Sequence, residues 1–143
     1  MASFSHTVTI PKPPAEVFPW LLEADKVPQW TSRLKDYDIT GDGTLRRGAR
    51  IRQVLTVGGS ELDIDIEITG YDPPHSADSR FSTNGMDVET TYRLQEAGGG
   101  TELTQTLEGK ANGFKARMLL PVVQPKLEGK LTEDLERLRE LLS

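Results

Sequence analysis

Residues 112–143 read NGFKARMLLPVVQPKLEGKLTEDLERLRELLS, and the fold turns on how they are read. Leu127, Leu131, Leu135, Leu138 and Leu142 recur at spacings of three or four, which lays one apolar stripe along one helix. Lys126, Glu128, Lys130, Glu133, Glu136, Arg137 and Glu140 fill the other faces and are expected in water. Such a helix needs a hydrophobic partner. From residue 45 to residue 111 the chain reads as short alternating strands, so the expected fold is α+β: a curved antiparallel sheet closed over by one long terminal helix.

Thirty residues from Gly113 to Leu142 would extend about 45 Å, longer than strands of roughly 8 to 11 residues. Pro121 and Pro125 cannot bond back to the carbonyls of Arg117 and Pro121, so a kink or break is expected there, with a straight helix from about residue 125. Phe114, Met118 and Val122 precede the straight part at one end of the sheet, on a segment suited to act as a lid.

Phe4, His6, Val8 and Ile10 alternate with Ser5, Thr7 and Thr9, the pattern of a strand buried on one face. Pro11, Pro13 and Pro14 end it, and Val17, Phe18, Leu21 and Leu22 then form the buried stripe of a helix that Pro19 shortens or bends. Asp25 is placed to cap a second short helix carrying Val27 and Trp30. Leu34–Thr40 suits a strand, and Gly41-Asp42-Gly43 a turn. If Gly58-Gly59 is a two-residue hairpin loop, Val57 pairs with Ser60, and Ile51, Gln53 and Leu55 fall opposite Ile66, Ile64 and Leu62. The same register sets Arg52 against Asp65 and Arg50 against Glu67 on the other face. Phe81 sits on a short strand, Ser79–Thr83. Across Gly98-Gly99-Gly100, pairing Leu94 with Leu103 places Tyr92 opposite Gln105 and Thr90 opposite Leu107.

At 143 residues, with neither repeat nor linker, the chain is read as a single domain spanning 1–143. It has no cysteine and no apolar N-terminal stretch, so a cytoplasmic location is expected. Its longest apolar run, Met118 to Val123, contains a proline and is too short for membrane insertion. A net charge of −5 opposes nonspecific binding to nucleic acid or anionic lipid, and no nucleic-acid partner is expected. Two histidines without cysteine argue against a metal site, and Asp63 with Asp65 reads as an exposed acidic face; no cofactor is expected.

Several local motifs occur in a telling order: Val8-Thr9-Ile10-Pro11 running into Pro14-Ala15-Glu16-Val17-Phe18, then Pro28-Gln29-Trp30, Gly48 ahead of a strand, Gly99-Gly100-Thr101-Glu102-Leu103-Thr104, and Leu135 to Leu142. In that order they resemble the START-like (SRPBCC) superfamily of polyketide cyclases, lipid-transfer domains and pollen allergens. The resemblance spans essentially the whole chain. It implies a helix-grip fold, with a seven-stranded sheet wrapped around the terminal helix, two short helices after the first strand, and a hydrophobic cavity between sheet and helix. The superfamily has no shared catalytic set, so the resemblance assigns no catalytic residue.

Polar residues on an otherwise apolar inner face fix the orientation of a ligand. Gln53, Thr90, Tyr92 and Gln105 are expected to point inward, joined by His6 if the first strand buries Phe4 and Val8. A buried polar group must be hydrogen-bonded. Tyr92 and Gln105 either bond each other across the strands or touch a ligand, whereas Gln53, facing Ile64, has no evident mate. His6 could do acid–base chemistry but reads more simply as a structural residue, since no nearby carboxylate is identifiable. Trp30 reads as core packing or a cavity wall. The candidate ligand-binding residues are His6, Trp30, Gln53, Phe81, Tyr92, Gln105, Phe114, Met118 and Val122. They suit a small hydrophobic or aromatic molecule held by a monomer or homodimer in a cavity of roughly 300–1,000 Å³. A cyclase or dehydratase acting on a polyketide-like substrate would use the same cavity. A partner-binding module, resembling the activators of heat-shock protein ATPases, would instead show an exposed apolar patch.

Overall fold

The computed structural model describes residues 2–57, 59–83 and 85–143. Strand β1 (Ala2–Ile10) leads into α1 (Pro14–Val17), α2 (Pro19–Leu22) and α3 (Val27–Trp30). Strands β2 (Leu34–Ile39), β3 (Arg50–Val57), β4 (Ser60–Asp72), β5 (Ser76–Thr83), β6 (Met86–Ala97) and β7 (Gly100–Ala111) follow, and α4 (Phe114–Leu141) closes the chain. The seven strands form one antiparallel sheet in the order β1-β7-β6-β5-β4-β3-β2. The expected helix-grip arrangement is what the chain adopts.

Proline placement explains the broken helical start. Pro14, Pro19 and Pro28 each stand in the first turn of a four-residue helix, where the missing N–H is one that no intrahelical carbonyl awaits. The first of the two expected helices is therefore split at Phe18–Pro19 into α1 and α2, and Val17, Phe18, Leu21 and Leu22 are all buried. Asp25 does not cap α3. Lys26 is the N-cap residue, with no side-chain cap bond, and the Asp25 carboxylate accepts from Lys26 Nζ at 3.4 Å.

The β3–β4 register is the expected one throughout: Ile51 opposite Ile66, Gln53 opposite Ile64, Leu55 opposite Leu62 and Val57 opposite Ser60. Gly58 of the expected loop lies outside the described residues. The charges pair diagonally rather than straight across, with Arg52 on Asp63 at 2.7 Å and Arg50 on Asp65 at 3.0 Å. Glu67, expected against Arg50, takes Arg80 instead at 3.0 Å. Strands β6 and β7 likewise place Leu94, Tyr92 and Thr90 opposite Leu103, Gln105 and Leu107.

Helix α4 lies against β1, β7 and α3. Leu131, Leu135, Leu138 and Leu142 are buried against Val8, Ile10, Ile51, Ile68 and Leu103. Of the kink or break expected at Pro121 and Pro125, no break occurs, and α4 runs continuously through both. Both prolines and Arg117 are exposed, so water can satisfy the carbonyls of Arg117 and Pro121 that lose their partners. Ten residues later the helix is anchored in the core.

Candidate functional site

Between the concave face of the sheet and α4 lies a cavity of about 150 Å³. This is smaller than the volume expected from the sequence, and about that of a void known to hold a benzene-sized molecule. Ile51, Leu55, Ile64, Ile66 and Phe81 give it apolar walls from β3, β4 and β5. Leu127 and Leu131 on α4 form its roof, and Leu21, Leu22, Val27 and Trp30 on the short helices close one end.

Five of the sequence-proposed residues meet here: Trp30, Gln53, Phe81, Tyr92 and Gln105. Trp30 is both core and wall. It is buried, and its indole Nε1 donates to the Trp20 carbonyl at 2.8 Å, which holds the ring in place. Tyr92 and Gln105 are paired across β6 and β7, but no hydrogen bond joins their side chains. Among the described residues, neither the Tyr92 hydroxyl nor the Gln53 and Gln105 amides have a hydrogen-bond partner. The Tyr92 side chain is buried, which pushes its pKa well above the usual phenol value, with the nearby Asp134 carboxylate adding to the effect. Tyr92 is therefore a neutral hydroxyl able to donate or accept a hydrogen bond.

Four proposed residues lie elsewhere. His6 Nε2 donates to Glu136 Oε2 at 2.8 Å, tying β1 to α4 outside the cavity lining. The carboxylate that the sequence did not reveal is thus 130 residues away on the helix. The His6 and Arg139 hydrogen bonds hold the Glu136 carboxyl below its ordinary pKa. Phe114, Met118 and Val122 are 79%, 63% and 60% exposed and do not line the cavity. Ala116 is the buried residue of this segment, and the helical spacing of Phe114, Met118 and Val122 puts them on the opposite, outer side of α4.

The structure adds Tyr37, Lys130 and Asp134 to the lining. Tyr37, opposite Gln53 on β2, donates its hydroxyl to the Leu22 carbonyl at 2.5 Å. Burial, and then the neighbouring Tyr92, raise its pKa. Lys130, expected in water, has a side chain only 16% exposed and donates to Asp134 Oδ2 at 2.5 Å. Asp134 Oδ1 accepts the Ser32 backbone N–H at 2.9 Å, so the ion pair also fastens α4 to the segment after α3. Lys130 and Asp134 stand one residue before Leu131 and Leu135, at the edge of the leucine stripe. That position, four residues apart beside buried leucines, is the signal that could have found them.

No curated protein matches the sequence. Among solved structures, TTHA0849 from Thermus thermophilus aligns with a TM-score of 0.80 at 17% identity, over 97% of this chain and 95% of that one. The di-domain ARO/CYC BexL from the BE-7585A biosynthetic pathway aligns with a TM-score of 0.77 at 17% identity, over 98% of this chain and 46% of BexL. Ara h 8.0201 aligns with a TM-score of 0.67 at 18% identity, over 96% and 97% of the two chains. These neighbours share the fold, a curved sheet gripping a terminal helix. A family model matches residues 1–143, and the chain belongs to the family of polyketide cyclase / dehydrase and lipid transport proteins.

Proposed function

We propose that the protein binds a small hydrophobic or aromatic molecule in the cavity between the sheet and α4, with Gln53, Tyr92 and Gln105 orienting it. One observation carries this reading. Three polar side chains converge on an apolar cavity without protein partners among the described residues, and polar groups so placed cost free energy unless water or a ligand answers them. A cavity of about 150 Å³ suits a molecule of one or two rings bearing a carbonyl or hydroxyl.

Calorimetric titration with indole and 2-naphthol tests it, alongside native mass spectrometry of protein purified from its own host. Binding is expected, and Gln53→Leu and Tyr92→Phe should each weaken 2-naphthol by about 5- to 10-fold while leaving the melting temperature close to that of the parent. Absence of binding to both compounds, together with no retained small molecule, would overturn the reading.

A second reading, a cyclase or dehydratase using the same cavity, is favoured by the ionisable Lys130, Asp134 and Tyr92 on its wall. The name of BexL, an ARO/CYC from a biosynthetic pathway, lends it support. Here the cavity would hold a folded substrate while Asp134 or Lys130 moves a proton. Turnover of a polyketide-like substrate, lost in Asp134→Asn but not in Gln53→Leu, separates enzyme from carrier.

A further inference from the structure

From Gly109 to Leu127 the chain carries Lys110, Lys115, Arg117 and Lys126 and no carboxylate. Set against a net charge of −5, those four cations leave −9 on the rest of the molecule. The same segment holds the most exposed large apolar side chains among the described residues, Phe114, Met118 and Val122, with Leu119 beside them. At about 100° per residue, Phe114, Met118, Val122, Pro121 and Pro125 share one arc of about 100° on the outer side of α4. Arg117 borders that arc on one side, and Lys115 and Lys126 border it on the other. An apolar ridge framed by cations thus stands on an otherwise acidic protein.

We propose that this outer face of α4 docks on an anionic lipid surface. Such a ridge can sink into the boundary between headgroups and acyl chains while the flanking lysines and arginine reach the phosphates. The acidic remainder is repelled by the same surface, which orients the molecule with this face down. A second copy meeting the ridge face to face would set three cations against three, and a nucleic acid would match the charge but leave Phe114, Met118 and Val122 against phosphate. Docking is peripheral. Among the described residues, no helix is long and apolar enough to cross a membrane.

The inner side of the same segment roofs a narrow void between Leu120, Gln124 and Leu127 on α4 and Val88 and Gly109 on the sheet. That void shares Leu107 and Leu127 with the main cavity. Docking would therefore bring the cavity's nearer end to the lipid, although the docking itself does not depend on what the cavity holds.

Co-sedimentation of the whole protein with vesicles tests the assignment. Vesicles of equal parts phosphatidylglycerol and phosphatidylcholine are expected to bind it, vesicles of phosphatidylcholine alone to leave it in solution, and added salt to weaken the binding. Neutralising Lys115, Arg117 and Lys126 to Gln together should lower the partition coefficient on the order of 100-fold. The pair Phe114→Ser and Met118→Ser should abolish sedimentation, and both variants should keep the parent's circular dichroism and 2-naphthol affinity. Failure of the parent to bind the mixed vesicles would overturn the proposal, as would variants that sediment like the parent. So would a lipid-free dimer that both variants dissolve, since it would give the face to a second copy. A protein that ignores 2-naphthol yet sediments as expected would sink the cavity reading and leave this one standing.

Discussion

Tyr37 and Tyr92 are close enough for the charge on one to be felt by the other, and neither can ionise cheaply where it stands. Burial is the main cause at both, so each phenol holds its proton in the folded state well beyond the usual value near 10. Unfolding returns both to water, where they release that proton above pH 10. The unfolded chain then binds fewer protons than the folded one, so stability is intact below about pH 10 and falls as pH rises further. Each tyrosine contributes a slope of up to about 1.4 kcal/mol per pH unit in that window. Urea unfolding between neutral pH and pH 11 should show the decline, and Tyr37→Phe and Tyr92→Phe should each flatten it relative to the parent. A decline identical in parent and double variant would show that these hydroxyls titrate normally. Tyr37 also illustrates what the sequence conceals. Strict alternation from Leu34 would turn Asp36 and Asp38 inward, but a bulge between Leu34 and Asp36 shifts the pairing and sends Tyr37 and Ile39 to the cavity side instead.

Elements whose geometry follows from local rules could be read in advance. In the β3–β4 and β6–β7 hairpins, the apolar alternation and the glycines of the turns agree on a single register. Helix α4 was half legible: the leucine stripe predicts its buried face, while continuity through Pro121 and Pro125 depends on that segment being exposed, which is a tertiary fact. The two halves of α4 consequently differ in support. Between Phe114 and Gln124 only Ala116 is buried, whereas Leu131, Asp134, Leu135 and Leu138 are locked into the core. Two prolines further thin the hydrogen-bond ladder of the first half. Hydrogen exchange should therefore run faster from Phe114 to Gln124 than from Leu131 to Leu138, the former by local opening and the latter by near-global unfolding. Equal protection in the two halves would rule out the first as a gate to the cavity.

Between sheet and helix, the space is filled at the end nearest α1 and α2 and left open in the middle. The end nearest α1 and α2 is closed by Val17, Leu21, Leu135 and Leu138, all almost fully buried. In the middle, side chains that could have met are kept apart or made polar: Ser79 stands beside Thr90, and Gln53 beside Tyr37. Three-dimensional juxtapositions of this kind, like the His6–Glu136 bond over 130 residues, carry no trace in local spacing, which is why the cavity could be expected from the fold but not sized. If the void serves a ligand, stability has been given up for it, and filling it should recover some. Ser79→Leu places three extra carbons against Phe81 and Ile66 without removing any hydrogen bond made by the parent among the described residues. It should raise stability by about 1 kcal/mol in urea unfolding, as cavity-filling changes commonly do, and abolish 2-naphthol binding at the same time. The two outcomes are linked by one volume. A variant that gains stability yet binds as before would move the ligand elsewhere, and one that loses stability would show that the space is already needed by water bridging Gln53, Tyr92 and Gln105.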